Sequence, residues 1–184
     1  MQIYLETSRL ILREFVPQDA DALALVISDP ETMRYYPSPF DRTGVEEWIA
    51  RNIRRYQANG HGLWALDLKS TGEMIGDCGI SLQNVDGEQL PEIGYHLRRD
   101  MWGRGFATEA ARACRDYGFA KLGADCLTSL IRPGNAASCR VAERNGMTIS
   151  KETVRAGLRH RVYRISREMW VALPTSDGSG FRTR

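Results

Sequence analysis

The chain has 184 residues, of which 42% are hydrophobic and 26% are charged, and its formal net charge is +2. This composition predicts one globular domain with a sizeable core and argues against a fibrous or disordered chain. No apolar run approaches the ~20 residues of a membrane span, and no dense Lys/Arg block favours nucleic acid. The N-terminus lacks the basic start and apolar core of a signal peptide. We therefore expect a cytoplasmic protein with no membrane or nucleic-acid partner.

The first part of the chain predicts one strand and two helices. Residues 9–15 have the composition of a strand, and the apolar residues after Pro17 recur at helical spacing to about Ser28. A second helix is predicted over residues 43–59, because Thr43-Gly-Val-Glu46 has the spacing of a capping box. The glycine that follows this helix is a typical helix end.

The middle of the chain predicts three strands and a helix. Two strands, residues 63–68 and 74–82, are joined by a Ser-Thr-Gly turn typical of a hairpin. The polar residues 83–91 predict a loop or a wide hairpin. A strand over 92–98 then leads through a glycine-rich turn into a helix over 104–122.

The last part predicts a strand over 126–131, a short helix and two final strands. Asn135 is a good N-cap for the helix, which ends near an Asn-Gly pair. The final strands, residues 148–155 and 159–171, flank an Ala-Gly turn.

The resulting order is β-α-α-β-β-β-α-β-α-β-β, which predicts an α/β (α+β) mixed sheet with helices on both sides. One domain is expected over residues 1–171. The polar, glycine-rich residues 172–184 are expected to form a disordered tail.

The glycine-rich turn, Trp102-Gly-Arg-Gly-Phe-Ala-Thr-Glu-Ala110, predicts an anion site. Its glycines allow close backbone approach, and the first helical turn presents free N–H groups and the positive end of a dipole. A diphosphate is the natural ligand. No P-loop is present, because no Lys-Ser or Lys-Thr pair follows a glycine at the required spacing. A dinucleotide fingerprint fits at Gly103 and Gly105, with Asp125 near the ribose position, but its third glycine is Thr108.

The cysteines and histidines do not predict a metal site. No C-x-x-C pair occurs, so buried reduced thiols are expected rather than zinc ligands or disulfides. His96 and His160 have no partner in the sequence, and a structural role is expected for each. The cysteines are Cys78, Cys114, Cys126 and Cys139.

Three segments together resemble the GNAT superfamily of acyl-CoA-dependent N-acetyltransferases. They are Glu6-Thr-Ser-Arg-Leu-Ile-Leu-Arg13, the stretch from Glu92 to Ala110, and the stretch from Asn135 to Met147. In this order they resemble the ribosomal-protein N-terminal acetyltransferases, the RimJ/RimL-like branch, over residues 7–171. The resemblance implies a GNAT fold, with a mixed, mostly antiparallel sheet of seven strands. It also implies acetyl-CoA as cosubstrate and no metal.

The superfamily's pyrophosphate loop, Q/R-x-x-G-x-G/A, falls here on Trp102 to Ala107. Trp replaces Gln or Arg at its first position, as is usual in the resembled branch, and the backbone donors at 104–108 do not depend on it. The resemblance also implies which residues bind CoA. They are Leu97, Arg98, Arg104, Gly105, Phe106, Ala107, Thr108, Asn135 and Ser138.

The resemblance also implies direct attack of a primary amine on the acetyl thioester. Glu92 is the candidate base, with a solvated strand-end carboxylate as the alternative, and Glu109 is a weaker candidate. The backbone N–H of Leu97 is the candidate oxyanion donor, at a place where parallel strands separate. Ser138 is the candidate partner of the CoA sulfur, and Tyr163 is an alternative acid.

Tyr35, Tyr36 and Glu92 are the candidate acceptor-binding residues. The acceptor implied is a primary amine, with a protein N-terminus as one form. Polyamines, amino acids and aminoglycosides are the small-molecule alternatives. A non-catalytic acyl-CoA-binding module and a nucleotide-dependent oxidoreductase are the rival classes. A monomer or a homodimer is expected.

Overall fold

The computed structural model describes residues 2–174, which form a mixed sheet packed between helices. The strands are β1 (Ile3–Glu6), β2 (Leu10–Arg13), β3 (Leu63–Leu68), β4 (Met74–Val85), β5 (Glu88–Leu97), β6 (Cys126–Ile131), β7 (Thr148–Arg155) and β8 (Leu158–Ser166). The helices are α1 (Ala20–Ile27), α2 (Arg42–Asn59), α3 (Phe106–Ala120), α4 (Ala136–Arg144) and α5 (Arg167–Ala172). None of the helices between residues 2 and 174 is long and apolar enough to cross a membrane.

The sheet has the order β1-β2-β3-β4-β5-β6-β8-β7, and every neighbouring pair is antiparallel except β5–β6. This confirms the predicted mixed, mostly antiparallel sheet. The predicted number of seven strands is wrong, because β1 pairs with β2 and adds an eighth at the edge. Strand β1 has only four residues, too few for a clear period-2 pattern.

The C-terminal end also differs from the prediction. The last strand does not continue to residue 171, because Ser166 ends β8 and caps α5 by accepting a hydrogen bond from Met169 N–H (3.2 Å). Helix α5 extends to Ala172, and Leu173 packs on the core near Gly146. Residues 172 and 173 are thus ordered, and the predicted tail over 175–184 lies outside the described residues.

Strands β4 and β5 form one long hairpin, so of the two predicted alternatives for residues 83–91 the loop is wrong and the hairpin is confirmed, with a two-residue turn instead of a wide one. Asp86 (φ 53°) and Gly87 (φ 90°) make the turn alone. Two central residues with positive φ are typical of a type I′ hairpin turn, whose twist matches that of the strands. As a consequence, Glu92 lies within β5 and does not begin it.

Two helices begin one or two residues away from their predicted starts. The N-cap of α2 is Asp41, which accepts a hydrogen bond from Gly44 N–H (2.8 Å), and not Thr43. Helix α3 begins at Phe106 because Gly105, with φ 83°, has a backbone conformation outside the helical region.

Neighbouring residues of β4 show that helices cover both faces of the sheet. Asp77 accepts a hydrogen bond from Trp48 of α2, whereas the Cys78 Sγ lies 3.5 Å from Cys114 Sγ of α3. Successive strand residues point to opposite faces, so α2 and α3 pack on opposite sides. All four cysteines are buried and free, as predicted.

The parallel strands β5 and β6 separate soon after they meet. Their ladder is limited to the pair Glu92–Thr128. Beyond it, side chains make the connection, as when Ser129 Oγ donates to the Ile93 carbonyl (2.9 Å). The backbone between the two strands is left open toward their C-terminal ends.

Candidate active site

Most predicted site residues line one cavity of about 830 Å³, which opens where β5 and β6 separate. Its walls come from those strands, the glycine loop before α3, the start of α4 and the segment between α1 and α2. The predicted residues that line it are Tyr35, Tyr36, Glu92, Leu97, Gly105, Phe106, Ala107, Thr108, Asn135 and Ser138. Arg98 and Arg104 are not among its lining residues.

The glycine loop presents free amides to this cavity. Gly103 (φ 75°) and Gly105 (φ 83°) are left-handed, a conformation that glycine adopts with little strain. The first hydrogen bond along α3 runs from Glu109 N–H to Gly105 O (3.0 Å). The amides of residues 106–108 therefore have no intrahelical partner, and no side chain within residues 2–174 caps them. Together with the helix dipole, they suit a bound phosphate.

Glu109 connects this loop to the N-terminal segment. Its carboxylate accepts hydrogen bonds from Thr7 Oγ1 (2.6 Å), Arg9 N–H (3.0 Å) and Arg9 Nε (2.6 Å). Arg9 Nη1 in turn donates to the Arg104 carbonyl (3.1 Å), and its guanidinium lies 4.4 Å from the centre of the Phe106 ring. Glu109, the weaker candidate for the base, does not line the cavity, and its contacts connect the loop to the N-terminal segment.

Trp102 occupies the first position of the loop, where the superfamily pattern has Gln or Arg, and it contacts the end of β5. Its indole Nε1 donates a hydrogen bond to the Leu97 carbonyl (2.8 Å) and so connects the loop to the end of β5. The Arg98 side chain donates to Asp100 (2.7 Å) and lies 3.6 Å from Glu73. These carboxylates hold the Arg98 guanidinium on the outer side of the strand end.

The N–H of Leu97 points into the gap between β5 and β6. Arg98 N–H donates to the Ile75 carbonyl (2.9 Å), which makes that pair a hydrogen-bonded one. Hydrogen-bonded and non-bonded pairs alternate in an antiparallel ladder, so the adjacent pair Gly76–Leu97 is non-bonded. The Leu97 amide therefore faces away from β4, toward the cavity.

Glu92 is half-buried in the cavity wall, opposite Ser81 of β4 and Thr128 of β6. Its Oε1 accepts a hydrogen bond from Leu130 N–H (3.2 Å). Burial raises the pKa of Glu92 above the ordinary glutamate value. A raised pKa suits a group that accepts a proton near neutral pH, and the environment differs from that of a solvated strand-end carboxylate.

Asn135 and Ser138 lie where α4 meets the cavity. Asn135 is the N-cap, as predicted, and its Oδ1 accepts a hydrogen bond from Ser138 N–H (3.1 Å). Across the gap, the Tyr95 hydroxyl donates to the Ser138 carbonyl (3.0 Å) and connects β5 to α4. Tyr163, the alternative acid, is buried and is not a lining residue.

Tyr35 and Tyr36 close the cavity from the segment between α1 and α2. The Tyr35 hydroxyl donates to the Gly134 carbonyl (2.8 Å) and bridges to the loop before α4. The Tyr36 hydroxyl lies 2.7 Å from His96 Nε2. Both tyrosines are therefore cavity residues, and each is tied to a different wall.

The sequence did not predict the row of hydrogen-bonded polar side chains that lies behind Tyr36. His96 Nδ1 lies 2.7 Å from the Oδ1 of Asp77, which is fully buried, and Trp48 Nε1 donates to the other oxygen of that carboxylate (2.9 Å). Burial lowers the pKa of His96, but the Asp77 charge outweighs it and the pKa is raised. His96 is thus a titratable cavity residue with a fixed tautomer, since its Nδ1 proton is held by Asp77.

The sequence also did not predict that three arginines line the same end of the cavity. Arg51 and Arg55 of α2 line it, together with Arg155 at the end of β7. The sequence signal was a pair of arginines at i,i+4 on one helix face, which does not show what that face contacts. Within residues 2–174, no group of three or more His, Cys, Asp or Glu side chains is placed to hold a metal ion.

Comparison with known proteins agrees with this geometry. Residues 9–148 match the family described as Acetyltransferase (GNAT) domain. The uncharacterized protein YkkB of Bacillus subtilis strain 168 is 43% identical over 148 residues, covering 80% of this chain and 86% of YkkB.

Solved structures show the same architecture. An acetyltransferase from Agrobacterium tumefaciens strain C58 superimposes with a TM-score of 0.78 at 32% identity, covering 91% of this chain and 95% of that one. RimL, a ribosomal L7/L12 alpha-N-protein acetyltransferase solved with coenzyme A, superimposes with a TM-score of 0.73, covering 90% and 98%. At 19% identity, the likeness to RimL shows the fold alone. The chain therefore belongs to the GNAT family, whose fold generally binds acetyl-CoA, and it is an acetyl-transferring enzyme of the N-acetyltransferase type.

Proposed function

We propose that this enzyme transfers the acetyl group of acetyl-CoA directly to a primary amine bound in the cavity. One observation carries the proposal: a single cavity joins the free amides of residues 106–108, the open strand edge at Leu97 and the half-buried Glu92. These are the anion site, the oxyanion donor and the base that direct transfer requires.

The cosubstrate is held in this proposal by the loop and by the walls of the strand gap. The amides of residues 106–108 donate to the pyrophosphate, and Arg104 adds charge beside it. Asn135 and Ser138 lie along the pantetheine arm. Arg98 contributes through its carbonyl, since its N–H donates to Ile75 and its side chain is engaged by Asp100.

The chemistry follows from the same positions. Glu92 removes a proton from the ammonium group, and the freed nitrogen attacks the thioester carbonyl carbon. The Leu97 N–H stabilises the oxyanion as the C–S bond breaks, and the Ser138 hydroxyl donates a proton to the leaving thiolate. The nitrogen, which is cationic after the attack, loses a second proton that passes through solvent to the Ser138 alkoxide, and Glu92 releases the first proton to solvent. Of the two protons lost by the ammonium group, one thus ends on the CoA thiol and one in solvent. His96 is a second proton acceptor within the cavity, reached through Tyr36.

A protein N-terminal amine is the proposed acceptor, between the tyrosines and Glu92. RimL, which shares the fold, is named for acetylating such an amine. A small-molecule amine is the alternative. The proposed setting is the cytoplasm, with the enzyme a monomer or a homodimer. Four free, buried cysteines are typical of proteins from a reducing compartment.

The test is release of free thiol from acetyl-CoA with a panel of primary amines, with intact-mass detection of the acetylated product. Acetylation of at least one amine is expected, with CoA raising the Tm. Binding of CoA without turnover on any amine would favour a non-catalytic module. Stabilisation by NAD and not by CoA would favour the dinucleotide reading of the loop.

A further inference from the structure

We propose that the amine acceptor of this enzyme carries a carboxylate close to the amine, held by Arg51, Arg55 and Arg155. The inference rests on the proposed function, because it assigns a chemical class to the acceptor of that reaction. The carboxylate could belong to a free amino acid or to an acidic residue near a protein N-terminus. The acceptor end is defined here as the part of the cavity lined by these arginines, Tyr36 and Glu92.

Within residues 2–174, none of these guanidinium groups is in an ion pair. Arg55 Nη1 donates to Asn52 Oδ1 (3.2 Å), and Arg155 Nη2 donates to Gln83 Oε1 (2.5 Å). Arg51 lies over the Trp48 ring, 4.9 Å from its centre. Each is positioned by a neutral group, so the positive charge stays available to a ligand.

The groups that position the arginines are themselves fixed. Asn52 is fully buried, donates to the Trp48 carbonyl (3.0 Å) and accepts from Leu63 N–H (3.0 Å). Gln83 Nε2 donates to Ser81 Oγ (3.1 Å). A guanidinium held in this way is pre-organised, which lowers the entropic cost of binding a carboxylate.

The arginines also act on one another and on the reacting end of the cavity. Burial lowers the pKa of Arg55, and the charges of Arg51 and Arg155 lower it further, while Glu92 raises it. The three arginines and Glu92 line the same cavity, and Glu92 interacts electrostatically with Arg55 and Arg155. An anionic acceptor would relieve this repulsion, whereas a polycationic acceptor would increase it.

Arg155 is distant from the phosphate loop. The span from Glu92 to Leu97 along an extended strand is about 17 Å. Arg155 is held by Gln83 on the β4 side of Glu92, whereas the loop follows Leu97. The Arg155 guanidinium therefore lies on the side of Glu92 away from the CoA pyrophosphate.

The experiment compares acceptors that differ only in the carboxylate. One arm uses free amino acids and their carboxamides, and the other uses peptides with Asp or Asn after the N-terminal residue. In at least one arm, kcat/KM should be roughly tenfold or more higher for the carboxylate form, as expected for charge-assisted hydrogen bonds. This preference should fall as ionic strength rises. The arm that shows the preference identifies the source of the carboxylate.

Arg55→Gln and Arg155→Gln should each remove most of the preference, because kcat/KM should fall much more for the carboxylate acceptor than for the uncharged one, while the KM for acetyl-CoA stays the same. The matched control is Arg54→Gln, because Arg54 is exposed on the same helix and is not a lining residue. Retained Tm values would show that the variants fold. Equal rates on both forms in both arms, or an equal loss in Arg54→Gln, would overturn the acceptor proposal while leaving acetyl transfer intact. No acetylation of any amine, despite CoA binding, would overturn the proposed function and this inference with it.

Discussion

Glu109 offers the sharpest test of how the phosphate loop is held in place. Replacing it with Gln keeps the volume and the helix propensity but removes the charge that Thr7 and Arg9 contact. The ion pair itself adds at most about 1 kcal/mol, because the Arg9 side chain is 45% exposed. The hydrogen bonds to Oε1 from the Thr7 hydroxyl and the Arg9 amide lose about 1 kcal/mol each when their acceptor becomes neutral.

The expected loss is therefore about 2–3 kcal/mol in the free energy of unfolding, or roughly 4–12 °C in Tm for a chain of this size. Calorimetry measures this shift, and titration with CoA measures a second effect. Affinity for CoA should fall, because Arg9 connects Glu109 to the carbonyl of Arg104 in the loop. The control is Glu168→Gln, which changes an exposed first-turn acid of α5 and should leave the Tm almost unchanged.

The pH dependence tests the same assignment. Burial alone would raise the pKa of Glu109, but the hydrogen bonds from Thr7 and Arg9 outweigh it and the pKa is lowered. A lowered carboxyl pKa stabilises the fold above the unfolded value of about 4.3, and this contribution is lost as the pH falls through the folded value. The Tm difference between wild type and Glu109→Gln should therefore shrink below about pH 4. A difference no larger than that of Glu168→Gln, or one that persists undiminished in acid, would refute the reasoning.

Three further predictions concern the cavity. Glu92→Gln should lower kcat and abolish its rise with pH through the raised pKa of Glu92, with CoA affinity intact; an unchanged pH–rate profile would remove Glu92 from the base role. Gly105→Val should weaken CoA binding, because a β-branched residue is strained at φ 83°, whereas Gly123→Val, at φ 68° beyond the opposite end of α3, should cost similar stability and spare CoA. Asp77→Asn should lower the pKa of His96, which NMR titration would show. The raised pKa of His96 stabilises the folded protein below about pH 6.5, and this contribution is lost as the pH rises through the histidine pKa of the folded state. The variant should lack this extra stability. An unmoved His96 titration would contradict this last assignment.

The parts of the fold that sequence predicted well are those with strong local signals. Helix α3 has a continuous apolar stripe, and α4 has an Asn cap that the structure reproduces at Asn135. The C-terminal error had a competing signal of the same kind. Ser166 is a good N-cap for α5, but the apolar residues beyond it also fit a strand, and only packing decides between the two.

The arginines of the acceptor end could not be placed from the sequence. Arg51 and Arg55 share a helix face by spacing, yet a charged i,i+4 pair is usually a solvated face. What turns that face inward is the packing of α2 on the sheet, where the buried side chain of Asn52 contacts Leu63 of β3. Such contacts join residues from separate elements, and no local pattern encodes them.

The chain of Tyr36, His96 and Asp77 was, in contrast, partly predictable from one dipeptide. An Asp-Gly pair between strands favours a two-residue hairpin turn, and such a turn fixes the register of every pair that follows. Counting outward from Asp86 and Gly87 places Val85 opposite Glu88 and, further along, Asp77 opposite His96. A histidine opposite an acid is a titratable pair with a set tautomer, so leaving residues 83–91 open between a loop and a wide hairpin concealed the His96–Asp77 pair. The same count places Ser81 opposite Glu92, which locates the base candidate within the strand and beside the gap where a proton acceptor is needed.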